Sequence, residues 1–319
     1  MRGAKSIPPQ ILSSFITAFP SLTHLDLSST RASSDILEGL TASPTVRLQS
    51  LSLARCVRLT GSSIRNFLVS APAACGITEL NLYFDTIFPS PMSAEDLHEI
   101  STRAPCFTSG ELVYLDLSSA PLDQGLLEAM PTQAKLRSLG LSFIPGLPLR
   151  VVQEFIRNKA TQVEVLTLLG TSPELVRAQP WQASVALHSQ IIRPLCSPPL
   201  RFGAASDAPT AEQVPTRLRI VELPTTLLSA LGAGAGSWRI VRSKGGRGWY
   251  VDTACGWVSE PGGASLRRGL EKGHPWRRAL EILAEANGNV SSGIGWHARK
   301  MEVSWVFLLR SGCCESNFS

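Results

Sequence analysis

Long apolar runs are missing from this chain of 319 residues. The longest late stretch, VSWVFLL at 303–309, falls well short of the roughly 18 apolar residues a membrane-crossing helix needs, so no span is read. The N-terminus, MRGAKSIPPQ, runs into a Pro pair where a signal peptide would need an apolar core. The seven cysteines, at 56, 75, 106, 196, 255, 313 and 314, are odd in number and lack CxxC spacing. That excludes a zinc knuckle pattern and a fully paired disulfide framework, and it places the chain in a reducing compartment, cytoplasmic or nuclear. The N-x-S matches at Asn289 and Asn317 are then chance occurrences, not glycosylation sites. Runs of five or more Lys/Arg are also missing, although charge is uneven: residues 1–170 carry 13 basic and 14 acidic side chains, and 171–319 carry 17 and 11. The basic second half reads as ordinary solvation, which argues against nucleic acid. Paired carboxylates, metal-binding histidine spacing and a phosphate loop are lacking too; GAGAG at 232–236 follows no strand of a βαβ unit and reads as a turn. No cofactor, metal or small-molecule substrate is expected.

What the chain has is a recurring frame. LTHLDL at 22–27 returns as LQSLSL (48–53), ITELNL (77–82), LVYLDL (112–117), LRSLGL (136–141) and VEVLTL (163–168), with a degenerate LRIVEL at 218–223. The starts are 26, 29, 35, 24 and 27 residues apart, the LxxLxL pattern and period of leucine-rich repeats. Between the frames lie stretches of helical periodicity: SSDILEGLTASP, SSIRNFLVSAP, SAEDLHEISTRAP and LDQGLLEAMP. Ser33, Ser62 and Ser93 are predicted N-caps, with Asp96 completing a capping box to Ser93. Pro20, Pro44, Pro72, Pro105 and Pro131 are predicted to end helices. The insert IFPSP after Asp85 accounts for the long step of 35.

Residues 48–68, LQSLSLARCVRLTGSSIRNFL, resemble the cysteine-containing leucine-rich repeats of F-box substrate receptors in cullin ubiquitin ligases, and the resemblance extends over about residues 9–175. It implies that Cys56 hydrogen-bonds backbone inside the turn. Its place is held elsewhere by Thr30, Asp85, Ala120, Ile144 and Thr171, and the ladder should break at Ala120 and Ile144, which have no polar group. The expected fold is an α/β solenoid with parallel strands on the concave side and helices on the convex side. Residues 1–231 form it, with a Pro-rich insertion around 178–215, and 232–319 form a Gly/Trp-rich basic extension. The hairpin signal in SWRIVRSKGGRGWYVDTACGWV and the helical HPWRRALEILAEANG close the open end.

Alternation along each strand sends the leucines inward and the residues between them out of the concave sheet. The expected partner-binding residues are His24, Asp26, Glu79, Asn81, Tyr83, Tyr114 and Asp116, joined by Phe84 and Phe143 from the turns. Tyr83 and Tyr114, on adjacent repeats, form the amphipathic centre typical of binding hot spots. The expected function is protein binding by a monomer within a complex, as adaptor or substrate receptor in ubiquitin ligation or as a scaffold unrelated to ubiquitin. An enzyme alternative places Asp252, Cys255, His274 and His297 as a cysteine hydrolase. The chain is also expected to be part of a longer protein: PPQILSSFITAFP puts Ile11, Leu12, Phe15, Ile16 and Phe19 on one apolar stripe, and SWVFLLRSGCCESNFS lacks periodicity.

Overall fold

The recurring leucines set the strand positions. The computed structural model describes residues 7–196, 216–242, 247–252, 254–259 and 265–269, and its described part is an α/β fold with one mostly parallel sheet of nine strands. Seven strands, β1 (His24–Asp26), β2 (Ser50–Ser52), β3 (Glu79–Asn81), β4 (Tyr114–Asp116), β5 (Ser138–Gly140), β6 (Val165–Thr167) and β7 (Ile220–Pro224), pair in parallel and in chain order. β8 (Trp238–Arg242) and β9 (Arg247–Asp252) make an antiparallel hairpin that adds through β9 to β7. β10 (Ala254–Ser259) and β11 (Ser265–Gly269) form a separate antiparallel pair.

Register follows the frame. Leu25, Leu51, Leu80, Leu115, Leu139, Leu166 and Val221 line up across the parallel ladder. The ladder continues past the strand ends, with Leu27 N donating to Ser52 O, Leu53 N to Asn81 O and Leu82 N to Asp116 O, each at 2.9 Å. The next step repeats too: Ser29, Arg55, Ser119, Phe143 and Gly170 all take a left-handed φ, between 55° and 65°, two residues after the last frame leucine. Non-glycine residues there cost on the order of 1 kcal/mol each, which the ladder bond from each turn offsets. Phe84 occupies the same place without a positive φ, and the insert begins three residues later, at Ile87.

Helix α1 (Pro9–Thr17) precedes β1, and α2 (Ser34–Ala42), α3 (Gly61–Ser70), α4 (Ala94–Arg103), α5 (Pro105–Thr108), α6 (Gln124–Ala129) and α7 (Leu149–Asn158) occupy the segments between strands. Ser43, Ala71, Ala104 and Met130 end α2, α3, α4 and α6 with ψ of 121°, 128°, 130° and 134°, each just before a proline whose ring forbids the helical conformation. The capping box of Ser93 and Asp96 is formed. For α3 the cap is Thr60, boxed with Ser63, two residues before the predicted Ser62; Gly61 is the first helical residue. Ser33 stands at the N-cap of α2, but its hydroxyl donates to Asp35 and caps no amide.

α7 was not anticipated. Pro148 precedes it, and no polar cap marks its start. α8 (Pro173–Val176) precedes the stretch read as a Pro-rich insertion, whose first part forms α9 (Pro180–Leu187), a π-helical turn (His188–Ile192) and α10 (Arg193–Cys196); residues 197–215, and the helix expected over 274–288, lie outside the described residues. α11 (Thr225–Ala230) follows β7. Helix residues and inward strand leucines share one apolar core that runs from Leu12 to Tyr250, each fully buried leucine contributing about 1.5–3 kcal/mol. The stripe predicted for α1 divides: Leu12 and Ile16 are buried in this core, whereas Ile11, Phe15 and Phe19 are exposed. Among the described residues, no helix is long and apolar enough to cross a membrane.

Candidate functional site

The in-register ladder gathers the residues between the leucines into rows on the side of the sheet away from that core. One row runs His24, Ser50, Glu79, Tyr114, Ser138, Val165, Ile220, Val251; the next runs Asp26, Ser52, Asn81, Asp116, Gly140, Thr167, Glu222, Trp249. Neighbours in a row sit one strand apart, roughly 4.8 Å. The second row carries a repeated device. Asp26 Oδ1 accepts from Ser28 N at 2.8 Å, Asn81 Oδ1 from Tyr83 N at 3.0 Å, and Asp116 Oδ1 from Ser118 N at 2.9 Å. A short polar side chain thereby satisfies an amide at the strand end.

Asp116 is the best-anchored of these. Tyr114 Oη donates to its other oxygen at 3.1 Å, and burial, reinforced by the Asp116 charge, pushes the Tyr114 phenol well above its ordinary value. Gly140 makes room for this carboxylate, since a Cβ there would lie 2.4 Å from Asp116 Cγ. Thr167 Oγ1 donates to Glu222 at 3.3 Å farther along the row.

The expected exposure of this face is corrected by the burial. Asn81, Tyr83, Phe84, Tyr114 and Asp116 are all buried, Asp26, Glu79 and Phe143 are half-buried, and only His24 of the nine expected residues is exposed. The small neighbours Ser52, Ser118 and Ser142 are buried as well, and the Tyr83 and Phe143 rings meet edge to face at 6.1 Å. Glu222, Trp249 and Val251 belong to the same face but were not among the expected residues. The LRIVEL frame pointed to Glu222, while Trp249 and Val251 arrive by antiparallel addition of β9.

The exposed surface beside this face is its rim, at the C-terminal ends of β2 and β3. Val57, Ile87 and Phe88 are 54%, 73% and 44% exposed. The rim is rigidly built: Asp85 Oδ1 accepts from Ile87 N and Phe88 N, both at 2.9 Å, and the Asp85 carboxylate pairs with Arg55. The Arg55 guanidinium lies 5.8 Å from the centre of the Phe88 ring. IFPSP, read from sequence only as a length irregularity, thus presents two apolar side chains to solvent.

In the turns, Cys56 Sγ donates to Leu27 O at 2.9 Å and Thr30 Oγ1 to the same oxygen at 2.8 Å; Thr171 Oγ1 donates to Leu141 O. Burial pushes the Cys56 thiol up to about 12, which suits packing and not nucleophilic attack. Of the hydrolase alternative, Asp252 is buried, accepting from Ser237 Oγ at 2.7 Å with Arg219 at 3.7 Å. Cys255 falls in β10, but its side chain, with His274 and His297, lies outside the described residues. Among the described residues no three His, Cys, Asp or Glu side chains converge as a metal site. Compared with known proteins, the chain matches no family model and no curated protein.

Proposed function

We propose that the chain is a leucine-rich-repeat solenoid that binds a protein partner at the rim of its strand face. The repeat reading is supported by parallel strands in chain order, the left-handed residue recurring at one place in the frame, and helices that all share the core with the inward leucines. The observation that carries the binding reading is the rim of Val57, Ile87 and Phe88, held by the Arg55 and Asp85 pair. Exposed apolar side chains, one of them aromatic, beside an arginine match the composition of interface hot spots. Its partner presents an apolar segment to Ile87 and Phe88, and His24, Asp26 and Glu79 supply the accessible polar flank.

The more specific reading, a substrate-recognition or adaptor component of a cullin-type ubiquitin ligase, is supported by the resemblance of residues 48–68 and by the Cys56 turn bond that it implied. Affinity capture from native extract tests the proposal. Wild-type chain retains a defined protein, and Ile87→Ser with Phe88→Ser releases it at unchanged thermal midpoint. Retention of the same protein by the double variant places binding elsewhere, and capture without any cullin adaptor favours a scaffold.

A further inference from the structure

A short hydrogen-bond relay joins the β8–β9 hairpin to the helical side of the sheet. Ala235 N donates to Tyr250 Oη at 3.0 Å, and Tyr250 Oη lies 3.1 Å from His188 Nε2. The His188 and Tyr250 rings meet edge to face at 5.5 Å, and the Trp238 ring lies 5.2 Å from the same tyrosine. Chemistry sets the direction of the relay. A backbone amide can only donate, so Tyr250 Oη accepts from Ala235; Tyr250 is fully buried, so its own proton needs an acceptor, and His188 Nε2 stands beside it. In this closed arrangement His188 is therefore neutral, with its proton on Nδ1. His188 also opens a π-helical turn, a rare widening of a helix that often marks functional positions.

The turn that ends in Ala235 and Trp238 is built to move. Gly232, Gly234 and Gly236 have φ of 60°, 93° and 57°, and glycine exchanges such conformations for others at little steric cost. Beyond the relay, Ser237 Oγ ties the turn to Asp252 at 2.7 Å, and Gly234 N and Trp238 N donate locally to Leu231 O and Ala235 O. Protonation of His188 at Nε2 removes the acceptor of the Tyr250 proton and sets two donors against each other. We propose that Ala235, Tyr250 and His188 form a proton-operated latch: neutral His188 holds the Gly232–Trp238 turn against the π-helical turn, and a proton taken from solvent onto Nε2 releases it. Among the described side chains, the charged groups on the elements packed around His188 are engaged elsewhere or exposed. On α7, Arg150 pairs with Glu154 and Arg157 donates to Pro194 O; Arg193 of α10 is exposed; Arg239 of β8 donates to Gly236 O, and Asp252 of β9 accepts from Ser237. α9 carries no charge. Burial is what holds His188 below its ordinary value of roughly 6.5, and opening restores that value. Acid therefore favours the open turn, by at most about tenfold per pH unit below roughly 6.5, until the closed form protonates as well.

Hydrogen exchange of the full chain, read by mass spectrometry, tests the latch. Protection of residues 232–238 is compared with that of β4 and β5 at about pH 7.5 and about pH 5.5, each corrected for intrinsic exchange. In the wild type, protection of the turn falls about tenfold at the lower pH while β4 and β5 keep theirs. His188→Gln offers Tyr250 an acceptor that does not titrate, so its turn stays protected at both pH values. Tyr250→Phe removes the relay, and its turn is weakly protected at both. Three results overturn the proposal: a wild-type turn equally protected at the two pH values, a loss shared equally by β4 and β5, or a fall in His188→Gln as large as in the wild type. Where His188→Gln does not fold, Tyr250→Phe decides: low protection independent of pH supports the latch, and a fall like that of the wild type overturns it. No partner enters these measurements, so the latch and the binding reading at the rim stand or fall separately.

Discussion

Gly140→Ala is expected to destabilise the protein through one contact, that with Asp116. A Cβ on Gly140 would lie 2.4 Å from Asp116 Cγ and 2.5 and 2.7 Å from its oxygens, so the carboxylate must swing away. Doing so breaks the bonds from Ser118 N at 2.9 Å and Tyr114 Oη at 3.1 Å. Overpacking costs about 1–3 kcal/mol, and hydrogen bonds to a charged group contribute about 1.5–3 kcal/mol. Against this, replacing glycine in a strand gains about 0.5–1 kcal/mol of backbone entropy. The net loss is about 2 kcal/mol or more, read as a lower denaturation midpoint at unchanged m-value. In an Asp116→Ser background, where serine keeps an acceptor for Ser118 N and vacates the space over Gly140, the same substitution should cost nothing or stabilise by about 0.5 kcal/mol. An equal cost in both backgrounds refutes the reasoning, because it would show that Gly140 is required for backbone conformation and not for room.

Leu51→Asp buries an unpaired carboxylate between Leu25 and Leu80, a cost of several kcal/mol, so the variant should lose its cooperative unfolding transition; a normal transition would refute the register. Maleimide labelling with peptide mapping should find exposed Cys75 reactive in the native state, while Cys56 and Cys106, whose thiols burial pushes up to about 12, react only after denaturation. His188, 3.1 Å from Tyr250 Oη, has its pKa lowered by burial, so protonation favours the unfolded chain: its contribution is complete above the unfolded value of roughly 6.5 and is lost as pH falls through the lower folded value. Denaturation midpoints of His188→Gln should accordingly fall less steeply below pH 6.5 than those of the wild type, and parallel curves would remove His188 from the acid response.

Leucine spacing made the parallel part of the sheet legible, because a slip of one residue would send Leu25, Leu51 or Leu115 to the wrong side. Proline was equally informative at Ser43, Ala71, Ala104 and Met130, where sterics act on a single neighbour. Helix starts were less so: Thr60, Ser62 and Ser63 all carry a hydroxyl, and only the Gly61 backbone decides which of them caps. α7 escaped notice because Pro148 gives it no polar start. The site was legible in direction but not in exposure. Alternation assigns Asn81, Tyr114 and Asp116 to one side of the sheet; how deeply that side is buried depends on contacts distant in sequence, which no local period records. The rim was missed for the opposite reason, since Ile87 and Phe88 belong to an insert and follow no period at all.

The dissociation constant of the captured protein for wild-type chain and for Phe88→Ala is the most direct test of the rim as the binding site. Truncating an exposed aromatic anchor should weaken binding at least about tenfold, equivalent to about 1.4 kcal/mol, while the thermal midpoint stays within a degree or so of wild type. Equal dissociation constants for the two chains would contradict it.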